Sequence, residues 1–375
     1  MSNTTKSETG PALLEFGGFT IPAGCRRIFI TAELEPSNGD PRIQPTGFPD
    51  IGPVLYPDPA EKDGLICLIE SEASMANRLE EVCFSNKYEG TLKEVFAGLP
   101  YLRAQTGTGA NAVLRTASTL DGHRFASDFL AKGNATFGTS EQTLAEHIKT
   151  TLGMTADGKS MPIARVPDMF PLVLSLDAMS LIHGFQISNE QISFVGLRMA
   201  RALSASVIGT GCERISVPGI KFNVGQVESE SGQAIFQKPR ITAKKIEARF
   251  SIDVGLLTSL RLDTPAANGE AGPHQAARAQ LLLAIALWKV AAFLDLLSVE
   301  LSLRTECKLR LKRNDKGSSL PISVSCEPRP KEKTADTDKT DSKFDPATIA
   351  GESLTNLIAN AKLPANRSPL TLRFA

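Results

Sequence analysis

"LICLIESEASMANRLEEVCF" spans Leu65 to Phe84 and sets a short apolar run directly against a run of small and polar residues. Leu65 to Ile69 reads as a buried strand and Ser71 to Val82 as a helix. Met75, Ala76, Leu79, Val82 and Cys83 share one face of that helix, while Arg78, Glu80 and Glu81 point away from it. Ser71 and Ser74 can each satisfy a free N–H group of the first turn. Capping does not account for Asn77 and Arg78, one turn further along. With the small neighbours Ala73 and Ala76 beside a helix N-terminus, they form a candidate platform for phosphate.

Upstream, "RRIFITAELEP" places Ile28, Ile30, Ala32 and Leu34 on one face of a half-buried strand that Pro36 ends. The connection that follows is long and dense in Gly and Pro, which excludes helix and central strand, and it carries Arg42 and Gln44. Loops of that length in a compact domain are often functional. Downstream, apolar periodicity weakens and glycine becomes frequent. Residues 87–171 therefore read as an insertion projecting from the core, with a helix in "SEQTLAEHIKTTLGM" capped by Thr139 and Gln142.

Core signals resume at "FPLVLSLDAMSLIHG", followed by a predicted helix, "FVGLRMARALSASVIG". The strongest strand is "KKIEARFSIDVGL", with Ile246, Ala248, Phe250, Ile252 and Val254 inward and Lys245, Glu247, Arg249, Ser251 and Asp253 outward. "LSLRTECKLRLKR" alternates in the same way and reads as one further strand. Between them, "LLLAIALWKVAAFLDLLSVEL" is apolar enough for a bilayer, yet Lys289, Asp295 and Glu300 interrupt it. It reads as a buried helix of a cytoplasmic protein with no membrane partner. Residues 328–346 are charged and nearly free of apolar side chains, as a flexible linker would be, and 347–375 read as a helix and a terminal arm.

This order predicts an α+β chain: one antiparallel sheet with helices on one side, ferredoxin-like and heavily elaborated by insertions. A single such domain covers all 375 residues, with 42% hydrophobic and 22% charged composition. Lys plus Arg equals Asp plus Glu, so attraction for a polyanion would require local segregation of charge.

The six cysteines form no CxxC pattern and read as buried reduced thiols. The four histidines show no metal-ligand spacing, and no metal or cofactor is expected. His123, beside Arg124 and close to Asp121 and Asp128, fits either an acid/base residue or a surface histidine in a turn. Two glycine-rich loops, "GTGCER" and "QTGTGAN", lack the Lys-Ser/Thr of a phosphate-binding loop and read as turns. Lys238, Arg240, Lys244, Lys245 and Arg249 cluster within a short span, either as a solvated face or as a polyanion surface. Aromatic content of 6% limits base stacking, so contact with phosphates fits better than base-by-base reading.

The stretches "RIQPTGFPDIGPVLY", "LIESEASMANRLEE", "GHRFASDFL", "SLIHGF" and "RMARALSASVIG", in that order, resemble a CRISPR-associated family. The family is the Cas-seven backbone subunit of type I-G (formerly I-U) Cascade complexes, in the RAMP superfamily. The similarity runs from Arg27 to Arg313, and Ser71 to Glu80 is its most specific element. The resemblance implies an RRM-like palm with inserted finger or thumb elements and no catalytic residue. It implies a protein that polymerises with copies of itself along a CRISPR RNA and leaves the bases free to pair with target DNA. The large subunit and the repeat-processing subunit would be further partners.

Carried over, it points to Arg42 and Gln44 in the first loop and to Ser74, Asn77 and Arg78 on the helix. It points also to Arg115, His123 and Arg124 in the insertion; Lys244, Lys245 and Arg249 join the candidate RNA contacts from the clustering of charge on their strand, not from the resemblance. The "SLDAMSLIHG" element departs from the Trp-containing version expected there and receives no RNA contact. Two alternatives remain from other classes: an RNA-cleaving enzyme using His123, and a protein-only oligomeric scaffold.

Overall fold

Strand β1 (Arg27–Pro36) alternates as its sequence dictates, with Ile28, Ile30, Ala32 and Leu34 buried and Phe29, Thr31, Glu33 and Glu35 half-exposed. In the computed structural model it is the hub of the largest sheet. The structure describes residues 19–48 (except Ala23), 52–187, Ile192, 197–215, 240–304, 307–327, 354–363 and 369–374, plus short strands at 15–16, 220–222, 234–236 and 339–340. Most of the expected 328–346 linker lies outside the described residues.

The remaining elements, in chain order, are β2 (Leu55–Pro57), β3 (Leu65–Glu70), α1 (Glu72–Glu81), β4 (Leu102–Thr106), β5 (Val113–Ala117), β6 (Asn134–Phe137), β7 (Ser140–Thr143), α2 (Leu144–Leu152), α3 (Met169–Leu176), α4 (Ser180–His183), β8 (Leu203–Ile215), β9 (Arg240–Asp253), α5 (Val254–Ser259), α6 (Gln275–Val299), β10 (Leu301–Arg304), β11 (Cys307–Leu311), β12 (Ile322–Glu327), α7 (Leu354–Asn360) and β13 (Leu370–Phe374). The fold is α+β. The large sheet runs β10-β11-β1-β9-β8-β3-β2, with β12 also paired to β1 alongside β11, and every pairing is antiparallel. Taking β1, β8, β9 and β11 as the first to fourth strands, with α1 and α6 as the helices between, their spatial order is fourth-first-third-second.

One stretch overturns its expected class. "FVGLRMARALSASVIG" contains no helix among its described residues; its second half opens β8, a long strand paired to β9 on one side and β3 on the other. Leu203, Ala205 and Val207 alternate with Ser204 and Ser206, a period of two that places the serines on the half-exposed face. "LSLRTECKLRLKR" likewise forms two strands, β10 and β11, paired as a hairpin. The capped helix of the insertion begins later than its sequence suggests: Thr143 is the N-cap, reciprocating with Glu146, and Ser140 to Thr143 are strand.

α6 lies under the sheet rather than in a bilayer. The most apolar window of this helix is 78% buried inside the protein. Phe293 meets Phe250 of β9 edge to face at 6.0 Å, and Trp288 meets Phe96 at 4.7 Å. α7 is fastened to α6 by Arg278, whose guanidinium donates to the carbonyls of Ala361 (3.1 Å) and Lys362 (2.8 Å).

The insertion builds a second sheet, ordered β5-β4-β13-β6-β7. Its middle strand is the C-terminal β13, parallel to β4 over five residue pairs and antiparallel to β6 at Asn134 and Arg373. The closeness of the packing is set at Gly133, where any Cβ would lie 2.7 Å from the Leu372 Cβ.

Candidate nucleic-acid interface

The loop after β1 does not hang free. Ile43 exchanges backbone hydrogen bonds with Ile241 at the start of β9, at 2.9 and 3.0 Å. Three residues on, the Thr46 N–H donates to the Ile69 carbonyl at 2.9 Å, directly before the N-terminus of α1. The loop is therefore strapped across from β9 to the helix entry. This strap carries Thr46, four residues after Arg42, to the entry of α1, where Ser71, Ser74 and Asn77 lie. Ser71 is the N-cap, accepting the Ser74 N–H at 3.3 Å, so one of the two candidate serines caps. Asn77 is exposed on the outer side of the helix.

Arg42 is exposed and forks onto Asp40, with Nε 2.9 Å from both carboxylate oxygens. The guanidinium holds the Asp40 carboxyl well below the usual range, at about 2. Arg240 adds to the same positive field. Asp40 was not among the expected residues, although an acidic residue two positions before Arg42 in "NGDPR" is the signal for such a turn.

The inner residues of α1 differ from their expected exposure. Glu80 does not point to solvent: it is buried and accepts from Arg124 of the insertion at 3.1 and 3.3 Å. Arg124 is 7% exposed and holds a left-handed backbone (φ 54°) to reach it. That commitment makes Arg124 a strut between insertion and palm, not a hand offered to phosphate. Burial pushes the Glu80 carboxyl up to about 7, even though Arg124 and Lys289 pull it down. Arg78 is also engaged, 3.2 Å from the fully buried Glu70 at the end of β3 and 3.5 Å from the Ser302 carbonyl.

Behind these residues lies a polar cluster whose members are far apart in the chain. Lys289 of α6 and His183 of α4 are buried with their side-chain nitrogens 2.8 Å apart. Burial, then Lys289, holds His183 well below its ordinary value. Asp177, also buried, accepts from the Ser180 hydroxyl at 2.7 Å. The signal was present only as a charged residue within an apolar helix, at Lys289.

The remaining candidates are dispersed. Lys245 and Arg249 stand on the half-exposed face of the large sheet, 2.7 and 2.6 Å from Glu247 between them. Burial alone would raise the Glu247 carboxyl, and the two cations more than offset it. The same face pairs Arg310 with Glu35, Lys312 with Glu33 and Arg27 with Asp253, so its charges balance locally. Lys244 reaches Glu61 at 2.9 Å. Arg115 donates to Thr106 across the β4–β5 hairpin at 2.8 Å, and His123 is exposed in the turn beside Asp121. Among the described residues, no group of three or more His, Cys, Asp or Glu side chains could hold a metal ion.

A comparison with curated proteins finds no match. Residues 28–214 match the family model described as CRISPR-associated protein GSU0053 (Cas_GSU0053). The matched span runs from β1 through β8 and takes in the strapped loop, α1 and the insertion sheet except β13. Over that span the chain is similar to a CRISPR-associated family.

Proposed function

We propose that the protein is a repeating, non-enzymatic backbone subunit of a Cascade-type CRISPR effector, of the Cas-seven line of type I-G. It would work in the cytoplasm and grip the sugar–phosphate backbone of a CRISPR RNA. Its bases would stay free for target DNA, and the partners would be further copies of the chain and the large and repeat-processing subunits. One observation carries this reading: the Ile43–Ile241 and Thr46–Ile69 bonds draw the Arg42 loop to the exposed entry of α1. The fourth-first-third-second strand order adds support, because it is that of a ferredoxin-like palm. Guide sequences vary while phosphate spacing does not, so a grip built from loop and helix termini suits the task.

Arg42 is the principal phosphate ligand in this reading, with Asn77, Ser74 and Gln44 beside it. Its bond to Asp40 is exposed, and exposed pairs hold their partners weakly, so a phosphate can displace the carboxylate. Arg78 contributes by orienting α1 through Glu70.

Protein purified from cells expressing a CRISPR array is expected to carry RNA of defined length and a raised 260/280 nm absorbance ratio. Arg42→Ala is expected to lower RNA affinity and reduce the salt slope by about one unit, the loss of one phosphate contact. A protein-like absorbance ratio with no bound RNA would defeat the proposal and favour a protein-only scaffold. Specific cleavage of repeat RNA that His123→Ala abolishes would instead place the chain among endoribonucleases.

A further inference from the structure

The two sheets carry their exposed charges differently. On the large sheet the cations stand beside carboxylates: Arg310 by Glu35, Lys312 by Glu33, and Lys245 and Arg249 by Glu247. The insertion sheet leaves a charge unmatched. Gln105 of β4 and Asn134 of β6 both stand opposite Arg373 of β13, so the three side chains form one row on one face. Leu102, Ala104, Ala135 and Leu372 alternate with the residues of this face and are buried on the other. Arg373 and Asn134 are exposed and Gln105 is half-exposed. Among the described residues the Arg373 guanidinium has no ion-pair partner. Glu141, the acid that edge strand β7 adds to this face, lies opposite Thr136 and outside the Arg373 row.

The neighbouring row pairs Arg103 with Thr371. Arg103 keeps its net charge, because its guanidinium donates to a neutral partner, the Glu89 carbonyl, at 2.5 Å. That bond seats the segment before β4 along the β5 side of the face. Gly90 packs there so closely that a Cβ would lie 3.0 Å from the Leu114 side chain. Tyr88, in the same segment, is 86% exposed, with the Lys87 ammonium 5.7 Å from its ring centre.

We propose that this open face binds the phosphodiester backbone of a single nucleic-acid strand, at a site separate from the Arg42 loop and α1. An unneutralised guanidinium between two carboxamides can fork onto a phosphate, while Gln105 and Asn134 donate to the oxygens beside it. Adjacent strands lie about 4.8 Å apart, so the three groups fall within roughly 10 Å across the sheet. Arg103, one strand over and two residues along, sets a second positive charge about 8 Å away at the backbone. The charge selects an anion, and the exposed ring selects a single strand, since an unpaired base can stack on it. An acidic peptide would engage the arginines and leave the ring unused. The face shares none of the residues assigned to the guide, and it depends on the proposed function only for the class of ligand.

Ultraviolet cross-linking of oligothymidylate to the full-length protein, produced without a CRISPR array and freed of nucleic acid at high salt, tests this. Peptide mapping should find a thymidine adduct on Tyr88 that saturates with oligonucleotide concentration. Arg373→Ala should raise the half-saturating concentration about tenfold, and Arg42→Ala should leave it unchanged. Resistance of residues 102–143 to limited proteolysis in each variant establishes that β13 is still seated. Unlabelled oligouridylate should suppress the adduct about as well as unlabelled oligothymidylate, because the contacts are to phosphate. Absence of a Tyr88 adduct, or a folded Arg373→Ala protein that saturates like wild type, would overturn the proposal. So would suppression by poly-glutamate at the same concentration of charge, which would mark a surface for acidic protein. Failure of the guide reading looks different: no RNA would co-purify from array-expressing cells, while the Tyr88 adduct and its dependence on Arg373 would persist.

Discussion

Arg42 and Arg124 each bind a carboxylate, and the resemblance to known backbone subunits nominates both for RNA. At Arg42 the pair is exposed and spans two residues of one loop. At Arg124 it is buried and joins the insertion to α1 across 44 positions of chain. In water a guanidinium exchanges one anion for another at little cost. In the interior, removing its partner leaves an uncompensated charge, so the pair serves as a joint and its arginine is not available to a ligand. Burial, not residue type, separates an exchangeable pair from a strut.

The largest effect is expected where the insertion depends on distant chain. A protein ending before Leu370 lacks β13, and the β4–β5 and β6–β7 hairpins lose the strand between them. The buried Leu372 and the Phe374 ring, stacked on Phe129 at 4.6 Å, leave with it. Limited proteolysis should then cut within residues 102–143 while the large sheet stays protected. An insertion as resistant as in the full chain would show that β13 is dispensable.

Next comes the joint itself. Arg124→Met should cost about 3–5 kcal/mol in urea unfolding, the penalty for orphaning a buried carboxylate. Arg42→Ala should leave stability nearly unchanged, as expected of an exposed pair, and act on RNA affinity instead. Equal stability losses in the two variants would erase the distinction drawn between them.

The third effect is a pH dependence at Glu80. The folded-state pKa of about 7 lies above the ordinary 4.5, so the folded protein holds this proton more tightly than the unfolded chain. The resulting stabilisation is complete below about pH 4.5 and is lost as pH rises through about 7, to a total of roughly 3 kcal/mol. Glu80→Gln cannot titrate, so the wild-type minus variant stability should fall across that window. A difference that stays flat from pH 5 to 8 would mean that Glu80 is charged throughout.

Much of the large sheet was legible from the chain alone. The alternation of β1 and β9, the strand–helix turn at Glu70 and Ser71, and the buried character of α6 follow from periodicity and composition. The start of β8 reads as a helix because helical and strand-like assignments compete in short apolar runs, and its pairing with both β9 and β3 decides for strand. The loop and helix entry of the candidate site were also legible as a surplus of polar residues. Which of them remain available was not, because Glu70 and Glu80 look like ordinary surface acids of a helix entry and its outer face.

The sequence by itself determined the alternation of β1 and β9, the cap of α1 and the buried character of α6, since period, capping residues and apolar composition act over a few residues. Only the tertiary structure decided that β13 completes the insertion and that Glu80 faces Arg124. Those contacts join residues far apart in the chain, and the dielectric each charge experiences depends on what packs over it. Neither property is written in the local order of residues.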